Sequence, residues 1–307
     1  MKFKNITQLL DHFKDEATCR DFLEYKRWQG VPKCPHCASI RVWRTDRGFK
    51  CANKECCKKF SVISGTVYEN TKIPLRIWFA AIYLCSSSKK GISSLQASRQ
   101  LGITQKSAWF LLHRVRELLT EKAPKMLRGV AQVDESYVGG KEHNKHASKK
   151  QKEKAQGRNE DSKTPILGLV DSQGQIVVKV LPFVSKRNIT KIIHETIEPN
   201  TVMVTDAFIL YRHLERSKLY KHVVVNHSEG QYVNNGYHTN SIEGFFGIFK
   251  RGIIGIYHFT SRKHLQRYCN EFASRYNTRK IADDERFELA VENCSGRLKY
   301  DDLTKNN

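Results

Sequence analysis

Two pairs of cysteines, Cys34 with Cys37 and Cys51 with Cys56, constrain the fold of this chain more than any other feature. In a reducing compartment, clustered cysteines favour a metal site over a disulfide framework. The segment between the pairs, RVWRTDRGFKC, has the alternation of short strands. The pattern therefore predicts a zinc ribbon, in which four thiolates hold one structural Zn²⁺ per chain in place of a hydrophobic core. Cys57 competes with Cys56 for the fourth position, because the second knuckle is longer than C-x-x-C.

The charge balance indicates a polyanionic partner. The 307 residues include 53 Lys and Arg against 31 Asp and Glu, which gives a formal net charge of +22. Such a surface favours nucleic acid over an acidic membrane. The sequence has no apolar run long enough to span a bilayer, and its first residues lack the apolar core of a signal peptide. We therefore expect a cytoplasmic, nucleoid-associated prokaryotic protein with no membrane partner.

The first 120 residues are predicted to be helical around the ribbon. Residues 6–28 have the apolar spacing of one helix, and a second helical region begins at Pro74. Within ISSLQASRQLGITQKSAWFLLHRVRELL, a turn at Gly102 and an N-cap at Thr104 predict a helix-turn-helix, although an ordinary helical hairpin has the same pattern. As a DNA reader, this unit would use the following side chains for base and phosphate contacts: Gln105, Lys106, Ser107, Arg114 and Arg116.

From residue 130 the pattern changes to alternating strands and helices. The predicted order is three strands, a helix, a strand, a helix, a strand and a helix, which is the order of an RNase H-like fold with a mixed five-stranded sheet. A polar insertion at 141–164 separates the first two strands, and it is either a mobile phosphate-contacting segment or a solvated loop. The fold class is multidomain α+β.

Three acidic residues stand at positions that this fold brings together. Asp134 and Asp206 belong to hydrophobic strands, and Glu243 lies early in a helix that begins near Thr239. A buried carboxylate is unfavourable unless it meets a cation or hydrogen-bond donors. Strand-end caps and a first-turn acid would explain each residue separately. Together they predict a site for two divalent ions, Mg²⁺ or Mn²⁺, because hard oxygen ligands suit these ions and the pair supports phosphoryl displacement.

The segments VDESYVGGKEHNKH, VTDAFILYRHL and HTNSIEGFFGIFKRGIIGIYHFTSRKHLQRYCNEFASRYNTRK resemble the three catalytic blocks of the insertion-sequence family fifteen-ninety-five, or ISXO2-like, DDE transposases. The resemblance runs from CPHC to ENCSGRL. It implies catalytic residues Asp134, Asp206 and a third acid or Asn, followed by a Lys. Glu243 is the preferred third residue because Lys250 follows it by two helical turns; Asn240, on the same helix face, is the alternative.

The resemblance implies a DNA transposase that binds the terminal inverted repeats of its element, hydrolyses their 3′ ends and joins them to target DNA. Its partners would be double-stranded element ends, target DNA and at least one further copy of the chain. Two alternatives are an RNase H-like nuclease without strand transfer and a non-catalytic DNA-binding regulator. His238 is a candidate ligand or phosphate contact, and a basic strip is predicted to follow the DNA backbone: Lys250, Arg251, Arg262 and Lys263.

These inferences predict five regions. They are an N-terminal helical segment (1–30), the zinc ribbon (31–70), the helix-turn-helix (71–125), the catalytic domain (126–280) and a C-terminal helix and tail (281–307).

Overall fold

The computed structural model describes residues 3–122, 126–140, 163–216 and 219–305. In chain order the elements are α1 (Ile6–His12), α2 (Glu16–Trp28), β1 (Val42–Thr45), β2 (Gly48–Cys51), β3 (Lys59–Phe60), α3 (Leu75–Ser87), α4 (Ser94–Leu101), α5 (Gln105–Leu118), β4 (Val130–Val138), β5 (Thr164–Asp171), β6 (Ile176–Val180), α6 (Lys186–Thr196), β7 (Val202–Asp206), β8 (Lys221–Val225), α7 (Asn240–Gly252), α8 (Arg262–Asn277), α9 (Asp283–Glu292) and α10 (Tyr300–Thr304). The chain forms two compact units, one of residues 1–120 with 278–307 and one of residues 121–277.

The predicted zinc ribbon is present in the first unit as a small antiparallel sheet in the order β1-β2-β3. Its hydrophobic support is aromatic. The Trp28 ring meets Phe49 edge-on at 5.2 Å between centroids, and Phe49 stacks on Phe60 at 5.5 Å. Three rings are too small a core to fold alone, which is consistent with a fold that depends on its cysteines.

The prediction of one continuous helix over residues 6–28 is wrong. The helix breaks at Phe13, and α2 begins after the N-cap Asp15, whose Oδ1 accepts the Thr18 N–H at 2.8 Å. The break lets Phe13 enter the core of the first unit, where its ring lies 4.8 Å from Phe79 of α3 and 5.8 Å from Phe287 of α9. Aromatic packing and a strong N-cap together outweigh helix continuity.

The second unit contains a five-stranded mixed sheet in the order β6-β5-β4-β7-β8. The first three strands in the sequence, β4, β5 and β6, are antiparallel, whereas β7 pairs parallel with β4, and β8 pairs parallel with β7. This is the predicted strand arrangement of the RNase H-like fold. The connection from β7 to β8 is a 3₁₀ segment, Ile209–Arg216, where we expected a regular helix.

Each face of the large sheet has its own hydrophobic core. On one face α7 and α8 pack against the sheet through residues such as Ile242, Phe246 and Phe272. On the other face the core contains Ile189 and Ile193 of α6 together with Tyr211 of the 3₁₀ segment. Burial on both faces explains why β5 is apolar along most of its length.

Most of the predicted insertion at 141–164, namely residues 141–162, lies outside the described residues. At its other end the prediction is too long, because Thr164 is the first residue of β5. Among the described residues, no helix combines the length and the apolar character needed to cross a bilayer.

Candidate functional site

The centre of the sheet brings two predicted carboxylates together. Asp134 lies on β4, and Asp206 is the last residue of the neighbouring parallel strand β7. The register pairs Gln132 with Val204, so the two aspartates stand side by side two residues further along. One carboxylate oxygen from each lies within 4.8 Å of the other and of one Glu135 oxygen. Three negative groups therefore converge at the end of β7.

Glu135 was not among the predicted site residues. It follows Asp134 directly, and the alternation of side chains along a strand assigns it to the opposite face of the sheet. Its carboxylate is buried and accepts a hydrogen bond from the Tyr211 hydroxyl at 2.9 Å. β7 ends at Asp206, whereas β4 continues to Val138. Glu135 therefore lies on β4 just beyond the end of the neighbouring strand β7. The available signal was an Asp-Glu pair inside a hydrophobic strand.

Glu243 lies in the first turn of α7, as predicted, but is not part of the group of three carboxylates within 4.8 Å of one another. Its Oε1 accepts a hydrogen bond from the Thr239 hydroxyl at 2.6 Å, and His227 Nε2 lies 3.4 Å from the same oxygen. His227 Nε2 is also 2.9 Å from the Thr239 hydroxyl. These contacts orient a carboxylate whose negative charge contributes to the electrostatics of Asp134.

The cluster concentrates negative charge around a largely buried carboxyl group. Burial, the largest cause, acts together with the negative charges of Glu135, Asp206 and Glu243 to raise the pKa of Asp134 to about 7. A divalent cation would favour the ionised form, and carboxylate oxygens are the donors that Mg²⁺ and Mn²⁺ prefer. The residues present therefore fit a hard divalent cation.

One glycine allows α7 to lie close to this part of the sheet. Gly168 of β5 pairs with Asp134, and a Cβ at this position would stand 2.5 Å from Ile242 Cδ1 and 2.8 Å from Phe246 Cζ. These distances are well below van der Waals contact, so a side chain at residue 168 would force Ile242 and Phe246 of α7 to shift. The helix that carries Glu243 is thereby held against the strand that carries Asp134.

Lys250 stands near the carboxylates. Burial lowers the pKa of its ammonium group, the Asp134 charge opposes that change, and the Lys163 charge adds to it. The two other candidate residues near the start of α7 are Asn240 and His238. Asn240 is exposed as the first residue of α7, and His238 lies against Gln132, with Nδ1 3.4 Å from Nε2.

The remaining residues of the predicted basic strip lie on α7 and α8. Arg251, Arg262 and Lys263 are all exposed. Arg262 is partly engaged within the protein, because its Nε donates to Thr164 Oγ1 at 3.2 Å. The exposed part of the strip forms a cationic surface on the second unit.

The four predicted zinc ligands lie together in the ribbon. The sulfur atoms of Cys34 and Cys56 are 3.8 Å apart, and those of Cys37 and Cys51 are 3.5 Å apart. Four sulfurs at about 2.3 Å from a tetrahedral Zn²⁺ are separated by about 3.8 Å, so the arrangement fits this ion. Cys57 lies outside the group, in a left-handed backbone conformation, with its thiol directed to the carbonyl oxygens of residues 53 and 54.

The helix-turn-helix pattern corresponds to α4 and α5, joined at Gly102, which has φ of 65°. Thr104 caps α5 by accepting the Ser107 N–H at 3.3 Å. Gln105 and Lys106 are exposed at the start of α5, and the Lys106 ammonium lies 5.1 Å from the centre of the Tyr300 ring. The first turn of α5 thus presents polar side chains to solvent.

The structure does not support the predicted phosphate contacts of Arg114 and Arg116, because both side chains are buried. The Arg114 guanidinium lies over the Trp78 ring at 4.8 Å and donates to the Glu69 carbonyl oxygen at 2.8 Å. A periodic helix pattern does not distinguish an arginine that faces solvent from one that stacks on a buried aromatic ring.

Two family models match the chain: the ISXO2-like transposase domain over residues 126–277 and the transposase zinc-ribbon domain over residues 14–59. A protein of Halobacterium salinarum, described as an uncharacterized protein in transposable element ISH50, is 25% identical over 274 residues, which cover 86% of this chain and 91% of that protein. A chain in a crystal structure of a pre-cleavage Mos1 transpososome is 14% identical to this chain. The match covers 95% of this chain and 97% of that chain, with a TM-score of 0.26. The two matched segments contain the four-cysteine group and the sheet that bears the carboxylates.

Proposed function

The chain belongs to the ISXO2-like transposase family, and from that premise we propose that it binds the terminal inverted repeats of an insertion sequence, hydrolyses their 3′ ends and transfers them to target DNA. The observation that carries this proposal is the convergence of Asp134 and Asp206 within 4.8 Å, with Glu243 on α7 near enough for its charge to raise the pKa of Asp134. Acids from two strands and a helix form a ligand set suited to in-line phosphoryl displacement.

Asp134, Asp206 and Glu243 would hold two Mg²⁺ or Mn²⁺ ions. When bound, these ions lower the pKa of the attacking hydroxyl and stabilise the leaving oxygen. In the first reaction, water oxygen bonds to phosphorus at the element end, and the bond from phosphorus to O3′ breaks to give a free 3′-hydroxyl. In the second, that hydroxyl attacks a target phosphodiester and displaces the target O3′, with no covalent protein-DNA intermediate.

The other modules supply binding. Zn²⁺ held by Cys34, Cys37, Cys51 and Cys56 would stabilise the ribbon, and the exposed first turn of α5 would read base edges through Gln105 and Lys106. Lys250, close to Asp134, would contact the phosphate next to the reacting bond, and Arg251 and Lys263 would follow the backbone beyond it. Both ends of an element must be held for joining, so the active form would contain at least two chains.

The proposal is tested by incubating purified protein with end-containing DNA, a target plasmid and Mg²⁺, and by quantifying cleaved and joined products. Asp134→Asn, Asp206→Asn and Glu243→Gln should each abolish both reactions while end binding persists, because each removes a ligand charge without altering the DNA-reading units. If Glu243→Gln stays active and Asn240→Ala does not, Asn240 is the third catalytic residue.

A matched control is Asp171→Asn, at the end of β5. Its Oδ1 accepts the Gln175 N–H at 2.9 Å, a contact that the amide can retain. This variant should remain active. Cleavage without joining would assign the chain as a nuclease, and end binding without either reaction in the wild-type protein would assign it as a regulator.

A further inference from the structure

The helix that carries Glu243 is not capped by its own N-cap residue. Thr239 precedes α7, with φ of −110° and ψ of 7°, and its side chain makes no capping hydrogen bond. An N-cap threonine ordinarily accepts the N–H of the second or third helical residue. Here the Thr239 hydroxyl instead donates to the Glu243 carboxylate at 2.6 Å. The first turn of α7 therefore needs another acceptor.

Gln132 of β4 supplies that acceptor from a distant part of the chain. Its Oε1 accepts the N–H of Ser241 at 3.0 Å and that of Ile242 at 3.2 Å. These are the second and third residues of α7, the two that an N-cap side chain would serve. The same amide places Nε2 3.3 Å from Ser241 Oγ. Two backbone donors on one oxygen fix which way the amide points.

The position of Gln132 gives this contact a functional meaning. It lies two residues before Asp134 on the same strand, so the two side chains share the face of the sheet against which α7 packs. One amide thus links the strand that bears Asp134 to the helix turn that bears Glu243. We propose that Gln132 is a positioning residue that fixes Glu243 relative to Asp134 for metal binding; this inference rests on the proposed function.

The division of hydrogen bonds between Thr239 and Gln132 supports the same conclusion: Gln132 caps α7, and Thr239 binds Glu243. If Thr239 capped its own helix, its hydroxyl would turn towards the helix N–H groups and away from the Glu243 carboxylate. Because Gln132 satisfies those N–H groups, Thr239 is free to bind Glu243, and His227 braces Thr239 at 2.9 Å. Loss of the Gln132 acceptor would therefore disturb both the position of α7 and the orientation of its carboxylate.

The experiment compares two substitutions of similar size. Gln132→Met removes the acceptor, whereas Gln132→Glu retains an oxygen that can accept both N–H groups and that the positive end of the helix dipole favours. Displacement of a catalytic group by about 1 Å lowers rates by about a hundredfold. We expect Gln132→Met to lower the single-turnover cleavage rate about 10- to 100-fold and to raise the Mg²⁺ concentration needed for half the maximal rate, with unchanged end affinity. Gln132→Glu should recover most of the rate.

Ser185→Ala is the control for a merely structural effect. Ser185 caps α6 in the same unit by accepting the Asn188 N–H at 3.2 Å, and its loss should lower stability without changing the rate or the Mg²⁺ requirement. Equal behaviour of Gln132→Met and Ser185→Ala, or equal impairment of both Gln132 variants, would overturn the positioning role.

Hydrogen exchange at the Ser241 and Ile242 amides separates this inference from the proposed function. Exchange should be faster in Gln132→Met than in wild type and near the wild-type rate in Gln132→Glu, whether or not DNA is cleaved. Identical protection in all three proteins overturns the inference. Intact protection without any metal-dependent cleavage by the wild-type protein overturns the proposed function alone.

Discussion

Replacing Asp134 by Asn should stabilise the second unit when no divalent cation is present, although it should abolish catalysis. Burial first, and then three neighbouring acids, raise the pKa of this carboxyl from an ordinary value of 3.8 to about 7. Asparagine occupies nearly the same volume and carries no charge. The substitution therefore removes the repulsion within the cluster while it leaves the fold in place.

The sign of the effect follows from the direction of the pKa change. A carboxyl whose pKa is higher in the folded protein contributes stability that is fully present below pH 3.8. This stability is lost progressively as the pH rises from 3.8 through about 7. The free energy of unfolding falls by about 1.4 kcal/mol per pH unit where the folded state binds one proton more than the unfolded state. Between about pH 5.5 and about pH 8, the loss is therefore about 2 kcal/mol. The stability advantage of Asp134→Asn should therefore be larger by about 2 kcal/mol at the higher pH.

Hydrogen exchange of β4, β5 and β7 amides is the suitable assay. All four tryptophans lie in the first 120 residues, so fluorescence would report the other unit. Wild type and variant are compared at the same pH, with zinc retained and no added Mg²⁺. At each pH the assay gives the ratio of the variant's protection factor to that of wild type, for amides that exchange by global unfolding. This ratio should be about 30-fold larger at about pH 8 than at about pH 5.5. A gain independent of pH, or no gain at either pH, would refute the reasoning.

Three further predictions concern the ribbon, the sheet and the DNA-binding surface. Cys56→Ser should release zinc and Cys57→Ser should retain it, as elemental analysis checks; zinc loss from the second variant would contradict the assignment. Gly168→Ala should lower the unfolding free energy of the second unit by about 1–3 kcal/mol, because its Cβ would lie 2.5 Å from an α7 side chain; unchanged hydrogen exchange would contradict this. In binding titrations, Gln105→Ala should alter which ends are preferred, whereas Arg251→Ala should weaken all duplexes evenly; equal losses on end and random duplexes for both would remove the distinction.

The sequence predicts those features that depend on short-range pattern. Cysteine spacing located the ribbon, and alternation within GVAQVDESYVGG located the central strand. The order of strands and helices then predicted the mixed sheet, in which Asp134 and Asp206 come together because parallel neighbours end at the same edge. A hydrophobic helix with an acid in its first turn similarly located Glu243.

Features that depend on tertiary contacts were not predictable in this way. The burial of Arg114 depends on Trp78, 36 positions earlier (114 to 78), which no helix periodicity registers. Glu135 enters the carboxylate group although strand alternation assigns it to the other face. Gln132 was unremarkable as one polar residue in a strand, and its role follows only from the two N–H groups of α7 that it accepts.

Metal rescue of Asp206→Cys tests most directly whether the carboxylates hold the catalytic cation during DNA joining. A thiolate binds Mn²⁺ better than Mg²⁺, because Mn²⁺ is the softer ion. Joined products should be absent from the Cys variant in Mg²⁺ and reappear in Mn²⁺, whereas Asp206→Ala should stay inactive in both. Equal activity of the Cys variant in the two metals, or no recovery in Mn²⁺ while the wild-type protein joins DNA in both, would contradict the assignment of Asp206 as a ligand.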